Sequence, residues 1–241
     1  MNNKTTVRLN KFIAECGVAS RRNADELIRT GRIQVNKDVV IELGYSVDPV
    51  KDKVYYDGVL LKNETLVYYL LNKPKGYVTT TKDEKHRDIV TELLPKGKRI
   101  FPVGRLDVNT TGVLLLTNDG EFSNLLLHPS HKFERTYVAK LHRVLSEEER
   151  ARLVAGIILD KRKSKFASLE FVSKDKMNVR VTTVEGRNHF VKRMFAQIGA
   201  FVNTLHREKF AEFSDFGIPV GSYKVIHPME IETFMKKYAK K

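Results

Sequence analysis

Residues 102–120, PVGRLDVNTTGVLLLTNDG, constrain this chain more than any other stretch. Val113, Leu114, Leu115 and Leu116 form an apolar run of strand length. It is bracketed by two turn-forming groups, Asn109-Thr110-Thr111-Gly112 and Asn118-Asp119-Gly120. Consecutive apolar residues closed at both ends by turns predict a buried strand. Arg105, Leu106 and Asp107 stand just before the first turn. Asp107 is therefore expected at the rim of a core, where a carboxylate is partly desolvated and aimed. Taken alone, an aspartate in such a loop also reads as support for its own turn.

Residues 8–61 read as a small module. Leu9, Phe12, Ile13 and Cys16 recur at helical spacing and Gly17 ends the stripe. Ser20 is a good N-cap for a second helix with Ala24, Leu27 and Ile28 inward, and Gly31 stops it. Short strands follow, at Ile33 and Val35 and again at Val39, Val40 and Ile41. Arg8, Lys11, Arg21, Arg22, Arg29 and Arg32 fall on the exposed side. Guanidinium groups bind phosphate bidentately, so the cluster suits an RNA backbone, although any one of them alone would be an ordinary solvated charge.

Charge bears on the same question. The 241 residues carry a net +14 and a pI near 9.7, which calls for a polyanionic partner, nucleic acid or an anionic membrane. No apolar run approaches the ~20 residues needed to span a bilayer, so nucleic acid is retained. Residues 1–62 contribute +3 (11 basic against 8 acidic) and residues 63–241 contribute +11 (32 against 21). The first residues, MNNKTTVRLNK, lack the apolar core of a signal peptide, and Cys16 is the sole cysteine. A cytoplasmic monomer is expected.

Residues 62–65 read as a linker and residues 66–241 as a second domain. Residues 67–71 read as a strand entering the turn Asn72-Lys73-Pro74-Lys75-Gly76, with both lysines at its tip. Further strands are expected at 77–80, 135–140, 168–172, 178–184 and 224–226. Helices are expected at 89–94, 147–155, 189–198 and from Pro228 to Tyr238. On strand 135–140, Arg135, Tyr137 and Ala139 share one face. With no βαβ rhythm and no repeat, the class is α+β: a mixed, mainly antiparallel sheet with peripheral helices.

Several chemistries are excluded by motif. The chain has no GxxxxGK[ST], GxGxxG, CxxC, HExxH or GxSxG pattern. His128 and His131 flank Pro129, which forbids a regular helix between them. Neither a metal nor a cofactor is expected, which leaves catalysis to plain side chains.

Two resemblances complete the reading. RLNKFIAECGVASRRNADELIRTGRIQVN (8–36) resembles the S4 RNA-binding domain. LNKPKGYVTT (71–80), PVGRLDVNTTGVLLLTNDGEF (102–122), RTYVAK (135–140) and EGRNHFVKRMFAQIG (185–199) resemble the pseudouridine synthases of the RsuA/RluB/RluE/RluF family. The likeness is greatest to the RluB-type enzymes of 23S rRNA. It implies cofactor-free isomerisation of uridine to pseudouridine in ribosomal RNA, within a ribosomal particle or assembly intermediate.

By the same likeness Asp107 is the nucleophile, attacking C1′ or C6 or stabilising an oxocarbenium-like species. Tyr137 stacks on the target base and is a candidate to take the C5 proton. Lys192 pairs with Asp107, and a cation within ~4–6 Å keeps a desolvated carboxylate ionised. Arg105 occupies the stack vacated by a flipped uridine. Lys73, Lys75 and Arg187 track the RNA backbone, and Leu205 packs on the base. Phe190 and Lys192 depart from the glutamine and arginine common in relatives. A 16S rRNA synthase and a non-catalytic, S4-containing assembly factor are the alternatives.

Overall fold

The computed structural model describes residues 6–238. The chain divides into two units, Met1–Leu66 and Val67–Lys241. In the first, α1 (Leu9–Glu15) buries Leu9, Phe12 and Ile13. Helix α2 (Arg21–Arg29) starts where the Asn23 amide donates to Ser20 Oγ at 3.1 Å, and it buries Ala24 and Ile28. Both pack on a four-stranded antiparallel sheet of Asp38–Val39, Ile33–Val35, Val54–Tyr56 and Val59–Leu60.

The second unit is organised by a nine-stranded sheet. Its seven main strands are β1 (Tyr68–Lys73), β2 (Thr110–Thr117), β3 (Arg135–Leu141), β4 (Ser168–Phe171), β5 (Asn178–Thr183), β6 (Val202–Phe210) and β7 (Tyr223–Val225). They lie in the order β4-β5-β3-β6-β2-β1-β7, with Phe101–Pro102 beside β2 and Phe213–Ser214 beside β6. All neighbours are antiparallel except β6 and β2, which run parallel with Leu205 opposite Thr110 and Arg207 opposite Gly112. The sheet is mixed, and the α+β reading holds.

The apolar run of β2 follows from this position. Leu114 and Leu116 enter one core, with Leu71, Tyr137, Val191 and Met194. Val113 and Leu115 enter another, with Leu70, Phe122, Phe210 and Phe234. A strand buried on both faces shows no alternation. Helix α5 (Phe190–Ala196) contributes to the first core, and α3 (Gly120–Leu127) and α6 (Pro228–Tyr238) to the second. Asp119 caps α3 by accepting from the amides of Glu121 and Phe122 at 2.8 and 3.0 Å. Helix α4 (Glu147–Ala155) opens on a Ser146–Glu149 capping box.

Gly112 pins the centre. Its φ is +105°, and a Cβ there would stand 2.2 Å from the Arg207 carbonyl oxygen. Only glycine lets β2 and β6 approach this closely.

Two local expectations are corrected and one is narrowed. Residues 77–80 form no strand: Val78 makes an isolated bridge to Ile89, and Thr79 Oγ1 bonds instead to the Leu106 carbonyl at 2.7 Å. The short helix expected at 89–94 is a 3-10 helix confined to Val90–Leu93. Strand β1 runs on through Asn72 and Lys73, because these pair with Val113 and Gly112 rather than turning.

Candidate active site

Asp107 sits in a loop tied down from several sides. Gly76 N donates to the Val108 carbonyl at 2.9 Å and Thr110 N to that of Asp107 at 3.0 Å. Beneath the loop lies Lys73, fully buried. Its ammonium donates to the carbonyls of Pro74, Asp107, Val108 and Thr110 at 3.0–3.2 Å. Burial pulls its pKa down to about 8, opposed by the Asp107 charge. This corrects the expectation that Lys73 tracks phosphate. The extension of β1 carries it into the interior, where it braces the loop and is out of reach of RNA.

The Asp107 carboxylate is held from one side by the start of α5. Lys192 Nζ donates to Oδ2 at 2.6 Å, and His189 Nε2 lies 3.0 Å from Oδ1. His189 is not the first residue of the helix, as the sequence suggests. It is the N-cap, in left-handed conformation with φ 52°. That turn puts both nitrogens on the same carboxylate, one for each oxygen. Helix α5 is anchored by Phe190 and Val191, both in the core, so Phe190 serves packing.

Asp107, Lys192 and His189 face a cleft of about 530 Å³ whose walls also include Arg105, Arg135, Tyr137, Arg187, Leu205 and Arg207. Tyr137 of β3 is directly opposite Arg207 of β6, and Leu205 is opposite Ala139 and Thr110. Tyr137 and Leu205 are both nearly buried, with one edge on the cleft. Arg105 is exposed at the rim, with no hydrogen-bond or ion-pair partner among the described residues. Five arginine and lysine side chains line the cleft against two carboxylates, Asp107 and Glu185. A polyanion is favoured there.

The remaining basic positions divide. Arg187 is engaged by Glu185 at 2.7 Å and Asp160 at 3.3 Å and lies over the Phe190 ring. Its charge is answered within the protein by those two carboxylates, while its side chain still lines the cleft. Lys75 is exposed beside the loop. In the first unit, Arg8 bonds the Gly44 carbonyl, Lys11 faces Glu15, Arg29 pairs with Glu26 and Arg32 with Asp57. Arg21 and Arg22 stand exposed at the start of α2 without such partners among the described residues. The six-residue patch thus reduces to two uncommitted arginines.

Arg135, His189 and Arg207 are site residues the sequence reading missed. Arg135 shares a strand face with Tyr137, and Arg207 lies two residues beyond Leu205. Period-two spacing could have placed both. No local signal marks the left-handed turn at His189.

Comparison with known proteins decides the family. The RNA pseudouridylate synthase family profile matches residues 67–197, and the S4 domain profile matches residues 7–58. The chain belongs to the pseudouridine synthases. It is 42% identical over 230 residues to the ribosomal large subunit pseudouridine synthase B of Bacillus subtilis, covering 93% of this chain and 94% of the relative. Identity to the ribosomal small subunit pseudouridine synthase A of Salmonella typhimurium is 36% over 230 residues, covering 93% and 98%. A pseudouridylate synthase crystal structure superposes with TM-score 0.66 at 34% identity, covering 94% of this chain and 98% of that one. The synthase is therefore an isomerase of RNA uridine, with its S4 domain ahead of the catalytic fold. Among the described residues no cluster of metal-ligating side chains occurs, and no helix is long and apolar enough to cross a membrane.

Proposed function

We propose that this synthase isomerises a specific uridine of ribosomal RNA, with 23S rRNA as its substrate. The observation that carries the chemistry is the single carboxylate of Asp107, gripped on both oxygens and facing a basic cleft beside Tyr137. Joining C1′ to C5 requires a nucleophile that can also leave, and an aimed carboxylate suits that. Lys192 and His189 orient it for attack at C1′ or C6. A stacked uridine must first swing out of its helix, at a cost of a few kcal/mol. Tyr137 and Leu205 take the two faces of the base, and Arg105, free at the rim, fills the gap left in the stack.

Lys75 and the uncommitted Arg21 and Arg22 contact the backbone. On this reading residues 8–61 are an RNA-binding domain, 62–65 a linker and 66–241 the catalytic domain. The large-subunit substrate is supported by the higher identity to the Bacillus subtilis enzyme. The small-subunit relative, matched over the same share of the chain, supports 16S rRNA as the second reading.

Release of tritium from [5-³H]uridine-labelled rRNA tests the activity. Wild-type turnover with Asp107→Asn inactive is expected; zero release by both proteins would instead favour a binding role. Carbodiimide primer extension on rRNA from a deletion strain locates the substrate. A pseudouridine missing from the small subunit overturns the 23S assignment.

A further inference from the structure

Two guanidinium groups at the floor of the cleft have no counter-charge among the described residues. Arg207 is 3% exposed and Arg135 is 9% exposed. Arg207 Nε donates to the Val113 carbonyl at 2.8 Å, but its Nη2 is buried and has no partner among the described residues. Arg135 Nη1 donates to the carbonyls of Phe133 and Val184 at 3.0 and 3.2 Å, and the rest of that group makes no hydrogen bond among the described residues. Both guanidinium groups lie against the Phe210 ring, 4.6 and 5.0 Å from its centroid. No carboxylate pairs with either among the described residues, and burial pulls Arg135 below its ordinary pKa, opposed by Tyr137 and helped by a smaller push from Arg207. The Thr110 hydroxyl, on the same cleft, is buried and has no partner among the described residues either. Arg135, Arg207, Phe210 and Thr110 line the cleft together with Tyr137 and Leu205.

Leaving a buried cation unpaired costs several kcal/mol. Such a group persists where its partner arrives with the ligand or forms during the reaction. At this depth the floor is within reach of the edge of a flat ring. A phosphodiester, which carries a sugar on either side, would stay nearer the rim.

We propose that Arg207, with Arg135 behind it, donates to the O4 carbonyl oxygen of the flipped uracil and stabilises the negative charge that develops there. The proposal rests on reading the Asp107, Tyr137 and Leu205 cleft as the uridine site. Both routes open to Asp107 place charge on this oxygen. Attack at C1′ breaks the C1′–N1 bond, and the electron pair stays on the ring, delocalised from N1 to O2 and O4. Addition at C6 forms a carboxylate–C6 bond and drives the C5–C6 pair into an enolate at O4, and the C1′–N1 bond then breaks with its electron pair left on N1. In either case C5 then bonds to C1′, Asp107 departs, C5 loses its proton to a base and N1 gains one. A donor fixed in advance and shielded from water acts on the charged state far more than on the neutral base.

The test is single-turnover tritium release at saturating enzyme for wild type, Arg207→Gln and Arg207→Lys, with RNA affinity measured by filter binding. Removing one such donor slows the step by about 100-fold, so Arg207→Gln is expected to fall by that factor with RNA affinity unchanged. Arg207→Lys is expected to recover part of the loss, although both variants forfeit the bond to Val113. Equal slowing in both variants assigns Arg207 to bracing and overturns the proposal. Weaker RNA binding at an unchanged rate makes it a phosphate contact and overturns it too.

Unmodified enzyme acting on a transcript with 4-thiouridine at the target gives a measurement independent of folding. Sulfur accepts hydrogen bonds poorly yet carries negative charge well, so slower pseudouridine formation supports the proposal and an equal or faster rate overturns it. Wild-type turnover on 23S and 16S transcripts reports separately on the substrate. If only 16S RNA is modified, the substrate assignment fails and the same comparisons on 16S RNA decide this one.

Discussion

Replacing Lys73 by methionine removes a buried ammonium of similar length, and its consequences run in opposite directions for stability and for activity. In the folded protein burial lowers the Lys73 pKa from 10.5 to about 8. At pH 7 the ammonium form still dominates roughly ten to one, and it donates to four carbonyls of the Asp107 loop and its neighbours. Between about pH 8 and 10.5 the unfolded chain holds a proton that the folded chain has lost. Stability from this group therefore rises with pH across that window. At ~1.4 kcal/mol per pH unit, the gain amounts to about 3 kcal/mol.

Thermal melts of wild type and Lys73→Met from pH 7 to 10.5 isolate that contribution. The difference between the two curves is expected to shift in favour of the wild type as pH rises, by several degrees. Single-turnover rate is expected to move the other way, falling above about pH 8 as the ammonium loses a donor and the Asp107 loop loosens. Identical pH slopes for the two proteins would refute the burial argument. A wild-type rate that stays level through pH 9.5 would refute the bracing role.

Other outcomes follow from the same geometry. The Lys192–Asp107 pair is 2.6 Å long with both side chains about a third exposed; between the aqueous and protein limits this is worth ~2–3 kcal/mol. Lys192→Met is accordingly expected to slow single turnover by about 100-fold, and Lys192→Arg much less; an unchanged rate for Lys192→Met removes the pair from the mechanism. Gly112→Ala sets a Cβ against the Arg207 backbone at positive φ, with an expected loss of ~3 kcal/mol or more; a wild-type melting temperature would contradict the close approach of β2 and β6. Arg21→Glu combined with Arg22→Glu is expected to weaken RNA binding and to flatten its log–log salt dependence by about 1.4–1.8, with the melting temperature unaffected. An unaltered slope would place the RNA elsewhere on the protein.

Much of this architecture is legible in local pattern. The run of Val113 to Leu116 between turns announces a buried strand, and the period-two face of Arg135, Tyr137 and Ala139 announces another. Helical spacing and the Ser20 cap define α1 and α2. The position of Asp107 just ahead of the central strand also follows from neighbours in the chain. These features depend on residues within a few positions of one another, and the backbone's own periodicities suffice to read them.

What brings Asp107 to Lys192 does not lie within that range. The two are 85 residues apart and meet because a parallel pairing of β2 with β6, tight enough to demand Gly112, sets α5 beside the loop. The antiparallel pairing of β1 with β2 carries Lys73 inward although its turn-like sequence points outward, and the pairing of β2 with β6 leaves Arg207 buried with no anion beside it among the described residues. Charge on a side chain says nothing about depth. Burial is a property of the assembled sheet, and only the fold decides which cations face solvent, which brace a loop and which are held for the reacting base.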